Sequence, residues 1–185
     1  MTFEELKKLI PDAVLENWHQ HENGGGWIEN SAHADKTARV DGVVSGNAWV
    51  YGNARVYGNA RVYGDAWVYG DAWVYGDAWV SGDARVYGNA WVYGDAWVYG
   101  DARVYGDAWD FSPLYIQGSI HCLTLSKHDE ISIGCESHPI AHWLKHYPEI
   151  GAAHNYTQEQ IDEYGMLIRL AAEWAETKFG KGGKK

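Results

Sequence analysis

The chain has no apolar run of the length that a membrane-spanning helix needs. Its first segment, MTFEELKKLIPD, is too acidic and too poor in apolar residues for a signal peptide. Only two of the 185 residues are cysteine, Cys122 and Cys135, and without an export signal we expect both to stay reduced. These absences predict a cytoplasmic protein with no membrane partner.

Basic residues are also scarce. The chain has 15 Lys and Arg against 25 Asp and Glu, a formal net charge of −10, and its basic cluster is a short C-terminal one, Lys181, Lys184 and Lys185. Attraction to phosphate drives most nucleic-acid binding, so no direct nucleic-acid partner is expected. An acidic inhibitor that mimics DNA stays open as an alternative.

A six-residue phrase repeats without a gap from Gly46 to Val104: Gly, Asp or Asn, Ala, Trp or Arg, Val, and Tyr or, at Ser81, serine. Each repeat carries one aliphatic and one alanine position. Such a short strict period predicts a mainly β protein, a parallel β-solenoid in which each repeat supplies one short strand and one corner.

Over residues 28–110 the order aliphatic, any, Gly, Asp or Asn, small, any resembles that of hexapeptide-repeat left-handed β-helix proteins. The resemblance implies three hexapeptides per coil, with Val and Ala inward and Asn or Asp at a left-handed corner. Roughly four and a half coils are then expected. Between Val40 and Val44 the aliphatic step is four residues, a two-residue deletion at one corner.

The flanks of the repeat predict caps, because a solenoid must cover its terminal strand edges. We expect an N-terminal cap over 1–27, the left-handed β-helix over 28–110, and a C-terminal α+β cap over 111–185. Thr2 and Glu5 have capping-box spacing for a short helix that Pro11 ends.

The C-terminal cap is expected to hold a small β-meander followed by two helices. Its strands are LYIQGS, IHCLTLS and EISIGC, with a turn at 127–129. The first helix starts at Pro139 and stops before Pro148, and its apolar face carries Ile140, Trp143, Leu144 and Tyr147. The second helix opens with a capping box at Thr157 and runs to Phe179, with apolar positions Ile161, Tyr164, Ile168, Ala171 and Ala175.

Residues eighteen apart stack in such a coil, and the residues flanking each inward Val point outward. The first face then stacks Trp49, Trp67, Arg85 and Arg103 beside Tyr51, Tyr69, Tyr87 and Tyr105. The second stacks Arg55, Trp73, Trp91 and Trp109 beside Tyr57, Tyr75, Tyr93 and Phe111. The third stacks Val43, Arg61, Trp79 and Trp97 beside Ser45, Tyr63, Ser81 and Tyr99.

The aromatic faces are the predicted binding surfaces. A face of six large rings presents on the order of 1,000 Å² of largely apolar surface, more than a soluble monomer normally exposes. A second copy is the simplest cover, and hexapeptide proteins usually form trimers, so a homotrimer is expected. The predicted partner-binding or ligand-binding residues are Arg61, Tyr63, Trp79, Ser81, Trp97, Tyr99, Arg85 and Arg103.

Hexapeptide proteins are often acyltransferases with a histidine base, or carbonic anhydrases with three histidines on zinc. From Val40 to Asp110 this chain has no histidine, and no loop interrupts the repeat after Val44. His33 alone lies in the first, degenerate coil and cannot fill three ligand positions. We therefore predict no enzyme activity, no catalytic residue and no cofactor, with an acyltransferase-like enzyme as the alternative.

Histidines cluster instead near the C-terminus. His142 and His146 lie one helical turn apart and His138 lies just before them, but this stripe faces away from the predicted apolar face. Cys135 and His138 form one candidate ligand pair with no second pair. Solvated histidines and no metal site are the prediction.

The segments HENGGGW, PLYIQGS, IGCESHPIAHWL and YTQEQIDEYG resemble the flanks of uncharacterised bacteriophage and prophage hexapeptide-repeat proteins. The resemblance implies an accessory phage protein that counters a host defence system from the host cytoplasm. Two binding hypotheses follow: the faces inhibit a host protein, or they sequester a small nucleotide-like ligand by stacking and Arg–phosphate pairing.

Overall fold

The computed structural model of the chain describes residues 1–106, 108–109 and 111–180. It forms two compact units, Met1–Ser112 and Pro113–Lys185, each described by itself below. Some predictions fall on residues outside the described ones: the solenoid end at Asp110, the corner residue Asp107, and the basic cluster Lys181, Lys184 and Lys185.

The first unit begins with helix α1 (Phe3–Leu9), whose capping box is present as predicted. The Glu5 amide donates to Thr2 Oγ1 at 3.2 Å, and the Thr2 amide donates to the Glu5 carboxylate at 2.6 Å. A 3₁₀ turn (Leu15–Asn17) leads into the antiparallel pair β1 (Trp18–Gln20) and β2 (Trp27–Glu29). The α1 residue Leu6 is buried in a cluster with Ala13, Trp18, Trp27 and Val43.

The remaining strands of this unit are short and parallel: β3 (His33–Ala34), β4 (Arg39–Val40), β5 (Val43–Val44), β6 (Trp49–Val50), β7 (Arg55–Val56), β8 (Arg61–Val62), β9 (Trp67–Val68), β10 (Trp73–Val74), β11 (Trp79–Val80), β12 (Arg85–Tyr87), β13 (Trp91–Val92), β14 (Trp97–Val98), β15 (Arg103–Tyr105) and β16 (Ala108–Trp109).

These strands stack into three sheets, so the predicted parallel β-solenoid is confirmed at about four turns. The sheets run β1-β2-β5-β8-β11-β14, β3-β6-β9-β12-β15 and β4-β7-β10-β13-β16. We call their outer surfaces the Ser81 face, the Arg85 face and the Trp91 face, respectively. The left-handed sense of the coil and its hexapeptide detail stay predictions.

Strand register follows the repeat. Val44 pairs with Val62, eighteen positions later, whereas Ile28 pairs with Val44, sixteen positions later. The two-residue deletion read from the Val40–Val44 step therefore shortens one corner and leaves the strands aligned. Both inward positions are buried along the solenoid, Ala48 and Val50 being the first of the regular repeats.

The corner residue that takes the left-handed conformation is glycine. The expectation of Asn or Asp at that position is wrong, because among the described residues Asn155 is the one non-glycine residue with positive φ. Gly64 has φ +72°, and a Cβ built on it would lie 3.0 Å from the Gly82 amide nitrogen in the next turn. Glycine is thus required both for the backbone angle and for the close stacking of turns.

Trp109 does not join the outer surface of the Trp91 face, so that prediction is wrong. Val92 pairs with Trp109, seventeen positions later, and the indole is fully buried. In an unshifted register the inward position would fall on Asp110, and burying an unpaired carboxylate is costly. A one-residue slip places an aromatic ring at the inward position instead.

The second unit holds an antiparallel sheet and two helices. The sheet consists of β17 (Tyr115–Gln117), β18 (Cys122–Lys127), β19 (Glu130–Ile133) and β20 (Glu136–Pro139) in that order. The three predicted strands are confirmed, and β20 is a strand that the sequence did not indicate. The helices are α2 (Ile140–Ala153) and α3 (Gln158–Phe179).

Helix α3 agrees with the prediction. Thr157 caps it through a capping box with Gln160, and Gly180 follows its last residue with φ +77°. The buried residues of α3 include all five predicted positions, Ile161, Tyr164, Ile168, Ala171 and Ala175.

Helix α2 differs from the prediction because it continues through Pro148 to Ala153. Proline removes one backbone hydrogen bond but has a helix-compatible φ, so contacts on both sides can hold the helix. On one side the Trp143 indole donates to the Ile131 carbonyl at 2.8 Å. On the other, a Cβ built on Gly151 would lie 2.8 Å from Ile161, which shows how closely α2 meets α3. Leu144, predicted on the buried face, is 43% exposed.

Candidate functional site

The Ser81 face brings together six of the eight predicted binding residues. Trp79 pairs in register with both Arg61 and Trp97. The Trp79 and Trp97 rings are stacked, with centroids 4.9 Å apart and planes 5° apart, and the Arg61 guanidinium lies 4.8 Å from the Trp79 ring centroid. The result is a continuous column of one cation and two indoles.

The Arg61 side chain has an unusual environment. Its Nε atom is buried without a hydrogen-bond partner in the described part of the chain. A guanidinium has five N–H donors, and stacking on an aromatic ring uses none of them. The buried Nε is closed to a ligand, so an anion would have to accept from the terminal Nη groups of Arg61, whose guanidinium rests on Trp79.

Beside that column runs a column of tyrosines that Ser81 interrupts. In the tyrosine columns of the other two faces, adjacent rings are stacked with centroids 4.9–5.2 Å apart. On the Ser81 face, Tyr63 and Tyr99 are two turns apart and the serine between them has no ring. The Tyr63 ring makes an edge contact with Trp79 at 6.0 Å, and Tyr99 is 47% exposed.

The other two predicted residues, Arg85 and Arg103, lie in a different sheet and do not join this site. On the Arg85 face the Arg85 guanidinium lies 5.4 Å from the Trp67 ring centroid. Trp49 and Trp67 are tilted by 33° at 6.2 Å, and His33 lies 4.6 Å from Trp49. The eight predicted residues thus belong to two surfaces.

The corner carboxylates form columns, as the repeat predicts. Each column begins with an asparagine that donates from its side-chain nitrogen to the aspartate of the next turn at 3.0–3.1 Å: Asn47 to Asp65, Asn53 to Asp71 and Asn59 to Asp77. A neutral donor at the start of each column satisfies its first carboxylate. The DNA-mimic hypothesis, which depends on these columns, stays a prediction.

Within the second unit, a cavity of about 40 Å³ lies between the sheet and the two helices. Its polar lining includes His121, Cys135, Glu136, His154, Tyr156 and Tyr164. The Tyr164 hydroxyl accepts from the His121 amide at 2.6 Å and donates to the His121 carbonyl at 2.7 Å. Burial, reinforced by Tyr164, raises the pKa of Tyr156 to about 12.

At the edge of this cavity, Cys135, Glu136 and His154 lie together, with one potential ligand atom of each within 4.8 Å of the others. The Glu136 carboxylate accepts from His154 Nε2 at 3.1 Å and from His138 Nε2 at 2.7 Å. These hydrogen bonds, His154's first, hold the pKa of the Glu136 carboxyl below its usual value.

This cluster was not predicted from the sequence. Cys135 was paired with His138 instead, and the first helix was expected to stop before Pro148, which left His154 without an assigned position. The predicted histidine stripe does exist: the His138, His142 and His146 rings follow one another at 4.6 and 4.7 Å. Loss of hydration, and then the neighbouring His138 and His146, lowers the pKa of His142.

Among the described residues, no helix is both long enough and apolar enough to cross a bilayer. A family model described as YdcK beta solenoid repeat matches residues 54–70, 78–94, 84–100 and 96–110. No curated protein and no solved structure matches the chain. The hexapeptide-family and phage resemblances stay predictions. The parallel sheets and the repeat match together identify the chain as a β-solenoid repeat protein, similar in its repeats to the YdcK beta solenoid repeat.

Proposed function

We propose that the solenoid is a non-catalytic binding scaffold whose Ser81 face binds a nucleotide-like ligand, one with a planar ring and an anionic group. The observation that carries the proposal is the missing ring at Ser81, which leaves a slot between Tyr63 and Tyr99. We call this the Ser81 slot. Ser45 makes no equivalent slot, because the residue next to it on the other side is Glu29.

The dimensions of the Ser81 slot fit one planar ring. Two turns of a solenoid separate Tyr63 from Tyr99 by about 10 Å, twice the spacing of neighbouring strands. A ring inserted midway would stack on both tyrosines at about the 4.9–5.2 Å centroid spacing of the uninterrupted columns. Stacking of a base on aromatic side chains is worth about 1–3 kcal/mol per base.

The anionic group is assigned to Arg61. Its guanidinium lies on the Trp79 ring, in the turn that carries Tyr63 at one side of the slot. Charge-assisted hydrogen bonds from Arg to phosphate are roughly twice as strong as neutral ones. In an acidic chain of net charge −10, a cation beside an aromatic slot selects a ligand that carries both features.

Ligand binding is tested by titrating the protein with adenosine monophosphate and with a cyclic dinucleotide while its tryptophan fluorescence is recorded. Adenosine and inorganic phosphate serve as the ring-only and anion-only arms, and both should bind more weakly than the nucleotides. Arg61→Gln should weaken nucleotide binding about ten-fold and leave adenosine binding unchanged, since a hydrogen bond to a charged group contributes about 1.5–3 kcal/mol. Failure of both nucleotides to bind contradicts the ligand hypothesis.

The second candidate is a partner protein that inserts an aromatic side chain into the slot. The exposed Trp97 and Tyr99 beside the slot support this candidate. The resemblance of the flanks to phage proteins supports a host target and a role against host defence. A pull-down from host lysate should then recover a complex that Trp79→Ala or Trp97→Ala abolishes and that a change of the exposed Leu170 in the other unit, Leu170→Ala, preserves.

We also propose a homotrimer with the left-handed, three-hexapeptide coil of hexapeptide-repeat proteins. A cyclic trimer joins two different surfaces of each subunit. We assign them to the Arg85 and Trp91 faces, where Trp49, Trp67 and Trp91 are 39–45% exposed, and keep the Ser81 face for the ligand. This arrangement leaves the Ser81 face open to a ligand.

The mass in solution tests the trimer. Light scattering after size exclusion should give three times the 20.8 kDa chain mass. The double change Trp67→Ser and Trp91→Ser should give the mass of one chain, whereas Trp97→Ser on the Ser81 face should not alter it. A wild-type mass of one chain contradicts the trimer without touching the ligand hypothesis.

A further inference from the structure

We propose that Cys135, Glu136 and His154 bind a zinc ion and leave one coordination position open toward the neighbouring cavity. These residues offer a sulfur, an oxygen and a nitrogen whose positions all lie within 4.8 Å of one another. No role in the solenoid or in its proposed ligand binding accounts for this cluster.

The distances come close to those of a shared tetrahedral ion. Typical bonds are about 2.0–2.2 Å from zinc to nitrogen or oxygen and about 2.3 Å to sulfur, which places two ligand atoms about 3.3–3.7 Å apart. The Glu136 carboxylate oxygen and His154 Nε2 are already 3.1 Å apart. A small widening of this pair, with the Cys135 sulfur drawn in from as much as 4.8 Å, admits the ion in place of the shared proton.

The donor types favour zinc over harder cations. Magnesium and calcium prefer oxygen ligands, whereas thiolate with imidazole suits zinc. Cys135 is a free thiol exposed to solvent, and Glu136 and His154 are partly exposed, so the ion has an entry path. Three protein ligands with one open position are the arrangement of zinc sites that hold a water molecule.

The fold brings the three ligands together from two elements. Cys135 and Glu136 follow the sharp turn at Gly134, which has φ +56°, and Glu136 begins β20. His154 follows the last residue of α2, and its amide bonds to the Ile150 and Gly151 carbonyls. The carbonyl end of a helix carries partial negative charge that favours a cation.

The cavity supplies the open position. Cys135, Glu136 and His154 all line it, together with His121 and Tyr156. Its volume of about 40 Å³ holds about three water molecules, since one needs about 10–15 Å³. A water bound to the ion therefore has both space and polar neighbours.

His138 supports this site through a hydrogen bond to Glu136. Its Nε2 lies 2.7 Å from the Glu136 oxygen that does not face His154. Carboxylate ligands of metals are commonly fixed in orientation by such an outer hydrogen bond. Glu136 is thus held between two histidines, one of which is a ligand and the other a support.

The test uses full-length protein without an affinity tag, purified metal-free under reducing conditions. Zinc is titrated in competition with a chromogenic chelator, and one equivalent should bind. Cys135→Ser and His154→Ala should each weaken zinc binding at least ten-fold. The matched controls are Cys122→Ser, which removes a cysteine elsewhere on the sheet, and His146→Ala, which removes a histidine from α2. Both variants should bind zinc like wild type.

A second measurement needs no variant. Zinc should protect Cys135 from alkylation by iodoacetamide without protecting Cys122, as read by peptide mass spectrometry. Cobalt substitution should add a thiolate-to-metal absorption band that Cys135→Ser removes.

Three results overturn the proposal: no zinc bound at micromolar concentration, binding lost in His146→Ala but kept in Cys135→Ser, or equal alkylation of Cys135 with and without zinc. The second outcome would assign the ion to the histidine stripe of α2. None of these results bears on the Ser81 slot, which lies in the other unit.

Discussion

Replacing Ser81 by tyrosine should stabilise the solenoid and at the same time block the proposed ligand slot. The new ring would complete the column from Tyr63 to Tyr99 and form two stacked pairs like those measured in the other columns at 4.9–5.2 Å. Each aromatic pair contributes about 0.5–1.5 kcal/mol. No side-chain hydrogen bond of Ser81 within the described structure is lost by the change.

The net gain follows from these terms. Two pairs give about 1–3 kcal/mol, and ordering the new side chain costs up to about 1 kcal/mol. We therefore expect the free energy of unfolding to rise by about 1–2 kcal/mol, which is a Tm increase of about 2–8 °C for a chain of this length. Urea and thermal unfolding followed by far-UV circular dichroism measure both.

The control is Ser81→Ala, which adds no ring and should leave both stability and nucleotide binding unchanged. Ser81→Tyr should bind adenosine monophosphate at least ten-fold more weakly than Ser81→Ala. A Ser81→Tyr protein less stable than Ser81→Ala would show that the slot cannot hold a ring, and the ligand proposal would fall with it. Stabilisation without loss of nucleotide binding would move the binding site elsewhere.

Three further changes test the fold. Trp109→Ala should lower the free energy of unfolding by about 3–5 kcal/mol in urea titration, because the indole is fully buried, whereas Trp91→Ala, 42% exposed, should cost much less. Gly70→Ala should cost about 1–2 kcal/mol in the same assay, since φ is +73° and the new Cβ would lie 3.1 Å from the next turn. Tyr164→Phe should cost about 1–3 kcal/mol by thermal melting, because it leaves the His121 amide and carbonyl without their hydroxyl partner; a melting curve like wild type would exclude that role.

Much of the fold was predictable because the repeat constrains every turn in the same way. Inward Val and Ala, eighteen-residue stacking and the two capping boxes follow from local patterns that recur or that have a defined spacing. The glycine corners were assigned to the wrong residue. Asn, Asp and Gly all tolerate positive φ, and it is the 3.0 Å approach of Gly64 to the next turn that decides between them.

The features that could not be predicted depend on contacts distant in sequence. Trp109 turns inward because the alternative inward residue would be a carboxylate, a choice that local periodicity does not weigh. Helix α2 passes through Pro148 because Trp143 and Gly151 are fixed by the sheet and by α3. His154 reaches Glu136 only as a result of that continuation.

Departures from the repeat therefore carry more functional information than the repeat itself. The Val and Ala positions of the repeat are buried in the core, so a change there acts through stability. Ser81, by contrast, lies on the surface. A tyrosine there would add stacking in surroundings like those of the tyrosine columns on the other two faces. The ligand we propose would supply the ring that this position lacks and would lie near the Arg61 guanidinium, which rests on Trp79.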